Sequence, residues 1–197
     1  RACPRRRVCR LANMLKRLGV SHGDTVGVMD YDSHRYLECF FAVPMIGAVL
    51  HTINTRLSPE QILYTIDHAE DDVLILHSDY LPVVEQIRGR LDIVKKYVLI
   101  KDEHQKSSSV IAFDGEYENL LANEIDEFDF PDFDENTRAT TFYTTGTTGL
   151  PKGVYFSHRQ LVLHTLSSGF ALSSAAQQGR FSRDDVYMPI TPMFHVH

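Results

Sequence analysis

Over residues 1–100 the chain alternates stretches of helical periodicity with short apolar runs, and this alternation restricts the fold more than any other feature. Val8, Leu11, Ala12, Leu15 and Leu18 recur at intervals of three and four, which predicts a helix over residues 5–18 that stops at Gly19. Arg1, Arg5, Arg6, Arg7 and Arg10 accompany that pattern and read as part of a folded helix rather than as a transit peptide. A strand is expected over residues 25–29 and a helix over residues 34–43, kinked or ended by Pro44. A second strand is expected over residues 46–53. Ser58-Pro-Glu-Gln61 combines an N-cap serine, proline in the first turn and a glutamine that closes a capping box. The helix it opens should run to residue 69 with Ile62, Leu63 and Ile66 facing inward. A strand over residues 73–76, a helix over 81–91 and a strand over 98–100 complete the series. Helices between strands permit parallel pairing, so the expected class is α/β, with layered sheets flanked by helices.

The character changes between residues 107 and 137, which hold ten acidic residues and neither Lys nor Arg. Phe128, Phe130 and Phe133 are interleaved with the carboxylates. The expectation is a solvated connection with a few aromatic rings fixed to a neighbouring surface. The carboxylates lack the spacing of a calcium loop.

Composition narrows the function class. A net charge of -6 argues against a general nucleic-acid footprint, and 43% apolar content is ample for a core. Cys3, Cys9 and Cys39 form no Cys-x-x-Cys pair, so reduced packing cysteines in a cytoplasmic protein are expected. No apolar run approaches the roughly 18 residues that span a bilayer. Peripheral membrane association and a homodimer stay open, because no segment announces either.

The chemistry concentrates between a strand over residues 140–143 and another over 154–156. Tyr143-Thr-Thr-Gly-Thr-Thr-Gly-Leu-Pro-Lys-Gly153 gathers four threonines, two interior glycines and a lysine. Gly146 and Gly149 allow successive backbone N–H groups to converge on an anion. Thr144, Thr145, Thr147 and Thr148 add hydroxyls, which can also turn oxygen toward a magnesium ion. Lys152 adds a mobile positive charge suited to a polyphosphate. A Walker loop is excluded by spacing, because Leu150 and Pro151 precede the lysine and Gly153 follows it. The chain also lacks Gly-x-Gly-x-x-Gly, which disfavours protein kinases and Rossmann dehydrogenases.

The segment over residues 143–154 resembles the phosphate-binding signature of the adenylate-forming, AMP-binding superfamily, which includes acyl-CoA synthetases, luciferases and peptide-synthetase adenylation domains. Two further stretches are similar to family motifs: Gly47-Ala-Val-Leu-His-Thr-Ile-Asn-Thr-Arg-Leu-Ser-Pro-Glu60, and Pro192-Met-Phe-His-Val196 at the substrate pocket. The detail of residues 33–38 and 153–162 is most similar to the medium- and long-chain fatty-acid–CoA ligase branch.

That resemblance implies the front part of a large N-terminal catalytic domain, in which a carboxylate attacks the α-phosphate of ATP and CoA then takes the acyl group from AMP. It implies that Thr144, Thr145, Gly146, Thr147, Thr148, Gly149 and Lys152 hold ATP phosphates. Either Thr144 or Thr147 would approach Mg2+. His195 would stand near the acyl carboxylate and the path of CoA. Peptide-synthetase domains carry an Asp after the pocket Phe; here Phe194 is followed by His195, which favours a plain fatty or aromatic acid over an amino acid. His158 and Arg159, at a helix start, are expected to be structural. His51, His68, His77 and His164 show no partner in the sequence and are expected on the surface or in packing. A luciferase-like or aryl-acid adenylating enzyme is the alternative within the family, and a non-catalytic nucleotide-binding relic the alternative outside it. The adenine and ribose contacts, the adenylation lysine and the C-terminal lid of the family have no match here. Residues 1–197 are therefore expected to be a partial N-terminal domain, inactive alone.

Overall fold

Val26, Val28, Leu50, Leu74, Ile75, Leu76 and Val98 are all but sealed from solvent, so the strands that bear them need cover on both faces. The structure, a computed structural model, describes residues 4–102, 109–144, 149–174, 180–182, 184–186, 188 and 190–195. In chain order the main elements are α1 (Pro4–Arg17), β1 (Thr25–Met29), α2 (His34–Met45), β2 (Val49–Thr52), α3 (Pro59–Ala69), β3 (Asp71–His77) and α4 (Leu81–Ile87). There follow β4 (Lys96–Ile100), β5 (Gly115–Glu116), α5 (Tyr117–Ala122), β6 (Arg138–Thr144), β7 (Lys152–Ser157) and α6 (His158–Ser173). The strands form a seven-stranded sheet in the order β5-β4-β3-β1-β2-β6-β7. Every neighbouring pair is parallel except β6–β7, an antiparallel hairpin.

Two cores cover the sheet. On one side Leu11 and Leu15 of α1, Tyr36, Cys39 and Val43 of α2, and Tyr117 and Leu121 of α5 pack with Val26, Val28, Leu50 and Ile75. On the other, Ile62 and Ile66 of α3 and Leu81 and Val84 of α4 pack with Leu74, Leu76 and Met29. The alternation of Val73 and Ile75 with Leu74 and Leu76 between these cores follows from the two-residue period of a strand. The helix α6 differs, having no buried residue and leaving Leu163, Leu166 and Phe170 exposed.

Strands three, four, six and seven extend one to two residues past their expected bounds, and three further boundaries shift for a local reason. Pro44 lies inside α2, which ends one residue later; Ile46 N–H still reaches the carbonyl of Ala42, so the missing proline donor costs little at the last turn. The second strand starts at Val49 rather than residue 46, because Gly47 takes φ +81° and its N–H closes on the Pro44 carbonyl. The fourth helix ends at Ile87 and tightens into a short turn over Arg88–Arg90.

The acidic connection is more ordered than its composition suggests. It contributes the edge strand β5 and the helix α5, with Tyr117 fully buried. Arg7 bridges Glu38 of α2 and Glu118 of α5, Arg35 joins Glu118, and the Tyr117 hydroxyl donates to Glu38 across 2.8 Å. Glu118 thus binds basic residues of α1 and α2, whereas Glu127, Asp129, Asp132, Asp134 and Glu135 are exposed, as expected of a solvated connection. Phe128 and Phe130 do pack against the first core, as expected of the interleaved rings. Cys9 and Cys39 are free and buried, and burial pushes the Cys39 thiol well up.

Candidate functional site

The order of the strands locates a crevice. From β1 the chain leaves through α2 on one face, and from β2 it leaves through α3 on the other. Adjacent parallel strands whose connections depart to opposite faces leave an opening at their carboxyl ends, where α/β sheets place ligands. By that rule the opening falls between residues 30–33 and 53–57, which follow β1 and β2.

Residues from the distant pocket motif fill its mouth. Met193 N–H donates to Asp32 Oδ1 across 2.7 Å, and Thr52 Oγ1 at the end of β2 donates to the Phe194 carbonyl across 3.3 Å. Phe194 is buried, and the Arg56 guanidinium lies over its ring, 5.7 Å from the centroid. His195 N–H closes a turn on the Pro192 carbonyl at 2.9 Å, and the His195 side chain is exposed. The crevice floor is acidic: Asp30 accepts from the Ser33 hydroxyl and the Tyr31 N–H, yet burial leaves its carboxyl above the ordinary range.

Beside β2 stands β6, in register with Thr52 opposite Phe142, so the β6–β7 hairpin opens at the same end of the sheet. Thr144 faces Lys152 across the hairpin and donates its hydroxyl to the Lys152 carbonyl at 3.4 Å. Gly149 takes φ +107°, a conformation favouring glycine, and both Gly149 and Lys152 are exposed. Among the described residues no carboxylate lies within ion-pair distance of the Lys152 ammonium. Thr145, Gly146, Thr147 and Thr148 lie outside the described residues. The described sequence candidates thus come to one edge of the sheet, Thr144, Gly149 and Lys152 on the hairpin and His195 at the crevice. Among the described residues no hydrogen bond joins His195 to Thr144 or Lys152.

The Lys152 ammonium, met by no carboxylate among the described residues, the Thr144 hydroxyl and the exposed Gly149 fit a polyphosphate. No cluster of three or more His, Cys, Asp or Glu side chains that could hold a metal occurs among the described residues. Of the two threonines expected near Mg2+, Thr144 supplies a hard oxygen donor and Thr147 is outside the described residues.

The histidines without an evident partner in the sequence fare differently. His51 is buried on β2, its Nδ1 2.8 Å from Asp71 Oδ2 of β3, and burial pushes the Asp71 carboxyl up against the opposing pull of His51. His68 Nδ1 is 2.7 Å from the Tyr143 hydroxyl. His77 is buried with Nδ1 3.7 Å from Asp79 and Nε2 3.6 Å from Asp102. His164 is exposed, its Nε2 3.5 Å from Ser168 Oγ. His158 packs on Phe133 and Arg159 pairs with Glu135, structural contacts as expected. Thr52, Asp32 and Arg56, which hold the pocket motif, escaped the sequence because partners so distant share no local pattern.

Known proteins resemble this chain in sequence and fold. The family model described as AMP-binding enzyme matches residues 5–197. The long-chain-fatty-acid–CoA ligase of Thermus thermophilus is 44% identical over 97% of this chain and 33% of its own length. The 3-methylmercaptopropionyl-CoA ligase of Ruegeria lacuscaerulensis is 41% identical over 95% of this chain and 34% of its own. Among solved structures, the anthranilate CoA ligase AuaEII in complex with anthranoyl-AMP superposes with a TM-score of 0.77 at 27% identity, covering 86% of this chain and 32% of that one. The chain spans about a third of the length of the curated relatives it matches. With the signature hairpin and the pocket motif brought to one edge of a parallel sheet, and a family model matched along nearly its whole length, the chain belongs to the AMP-binding enzyme family.

Proposed function

We propose that this chain is the leading part of an AMP-forming acid–thiol ligase that activates a medium- or long-chain fatty acid with ATP and passes the acyl group to CoA. The observation that carries the reading is the placement of the Thr144–Lys152 pair at the carboxyl end of β6, next to the crevice held by Thr52 and Phe194. In this reading Thr144, Gly149 and Lys152, with Thr145, Gly146, Thr147 and Thr148, grip the β- and γ-phosphates. Negative charge grows on those oxygens as pyrophosphate leaves, and donors fixed beforehand stabilise it. A bound Mg2+ would neutralise phosphate charge, with Thr144 or Thr147 as the protein oxygen nearest to it. His195, exposed at the crevice mouth, would face the carboxylate and the incoming thiol.

The likeness to a long-chain-fatty-acid–CoA ligase supports the fatty substrate, and His195 in place of an Asp at the sequence position after Phe194 supports a substrate without an amino group. The adenine and ribose contacts, the adenylation lysine and the lid belong, in this reading, to the additional sequence that the relatives possess. A cytoplasmic site, with peripheral membrane association and homodimer formation both left open, completes the proposal. Among the described residues no helix is long and apolar enough to cross a membrane. The test is isotopic. Octanoate labelled with 18O in its carboxylate, turned over by the complete polypeptide with ATP and CoA, should leave one labelled oxygen in AMP. Label appearing in phosphate, with ADP as the other product, would contradict an adenylate.

A further inference from the structure

The hairpin that bears Thr144 and Lys152 has an anchor directly beneath it. Tyr143, the residue before Thr144, is 6% exposed, and its hydroxyl meets Nδ1 of His68, on α3, at 2.7 Å. Its ring stands edge-on to His68, with centroids 5.7 Å apart and planes at 86°, and edge-on to Tyr64 of the same helix at 6.4 Å. A third ring, His51 on β2, lies 5.1 Å away at 60°. From the opposite limb of the hairpin, a Cβ added at Gly153 would stand 3.2 Å from Tyr143 Cε1, so β7 approaches the ring as closely as a glycine permits.

The floor of this cluster is a buried, closely packed pair. Both oxygens of Asp71 lie within 3.0 Å of His51 Nδ1, and both side chains are buried. A Cβ at Gly27 would lie 2.5 Å from Asp71 Oδ2, so the neighbouring strand also closes on the pair. His51 Nε2 is buried without a hydrogen-bond partner among the described residues, which leaves its ring to be held by Asp71 and by packing on the ring of Tyr143.

A phenylalanine would fill the space of Tyr143 nearly as well; the hydroxyl adds one directed link, from the end of β6 to a helix on the other side of a crossover. Thr144 and Lys152 are the first residues beyond that link. Donors that stabilise a developing charge act in proportion to how firmly they are fixed beforehand, within about 0.5 Å. We propose that Tyr143 and His68 are positioning residues that hold the strand ends bearing the Thr144 hydroxyl and the Lys152 ammonium in place for the polyphosphate. The proposal rests on the ligase reading above.

The test uses the complete polypeptide with Tyr143→Phe, His68→Leu and His68→Asn, whose amide oxygen can stand where Nδ1 stands. Losing one hydrogen bond's worth of positioning should raise KM for ATP about fivefold in the Phe and Leu variants, with KM for the fatty acid unchanged. His68→Asn should restore the wild-type KM, and the Tyr143→Phe/His68→Leu double variant should be no worse than either single one. Amide hydrogen exchange at Thr144, Lys152 and Gly153 should quicken in the same two variants, whether or not the protein turns over. An unchanged KM for ATP, an equal rise in both KM values, an additive double variant or undisturbed exchange would each overturn the proposal. If wild-type protein forms no adenylate while exchange quickens, the ligase reading fails and the anchor stands.

Discussion

Thr52, the last residue of β2, donates its hydroxyl to the carbonyl of Phe194 across 3.3 Å, joining positions 142 residues apart. Thr52 is fully buried and its strand neighbour on β6 leads into the phosphate hairpin, so one hydrogen bond ties the pocket motif to the strand beside the hairpin. Replacement by valine keeps the shape and leaves the carbonyl without that donor. Thr52→Val is expected to lower stability by about 1–3 kcal/mol, read as a shift in denaturant midpoint at unchanged slope. KM for the carboxylic acid should rise with it.

Lys152 is exposed and carries no carboxylate partner among the described residues, so its charge is available to a ligand. Lys152→Ala should reduce the adenylation rate about a hundredfold, the scale of losing one preorganised donor. Stability should change by less than about 0.5 kcal/mol, as for other surface substitutions. Single-turnover kinetics and a melting curve read the two effects separately.

Gly27 leaves room for the buried His51–Asp71 pair, because an added Cβ would lie 2.5 Å from Asp71 Oδ2 and 2.9 Å from Ile53 Cδ1. Gly27→Ala must displace one or the other. The expected cost is about 3 kcal/mol, from overpacking and a weakened buried pair together. Urea unfolding followed by circular dichroism checks it.

Acid should reach the fold through Glu118. Burial pushes its carboxyl up, but the guanidiniums of Arg7 and Arg35 more than reverse this and leave it below its ordinary value. A depressed folded value means that the unfolded chain binds the proton first. The contribution of Glu118 is therefore complete above its unfolded value of 4.5 and is lost as pH falls through the lower folded value. Glu118→Gln should be less stable than wild type at pH 7, with the gap closing in acid, as followed by unfolding midpoints across a pH series.

Much of this frame was legible because its causes are local. Ser58 and Gln61 form the capping box that their spacing announces, and Ser157 and Gln160 repeat it at the start of α6. The apolar run over Thr25–Met29 became a strand buried along its whole length. The sequence was opaque where tertiary partners decide. The helix α5 has six residues, too few for a period to show, and exists because Tyr117 reaches Glu38 and Glu118 meets Arg7. The partners of His51 and His68 lie on other elements, 20 and 75 residues away, and no spacing rule joins them. The hairpin signature itself could be read from composition, whereas the crevice that gives it a neighbour depends on the strand order.

ATP–pyrophosphate exchange by the complete polypeptide, measured against a panel of fatty, aromatic and amino acids, tests most directly whether that hairpin and crevice serve carboxylate activation. Exchange that requires a medium- or long-chain fatty acid, with amino acids inert, is the expected result. Exchange driven by amino acids and not by fatty acids would contradict the substrate assignment, and exchange with none of the acids would contradict adenylation itself.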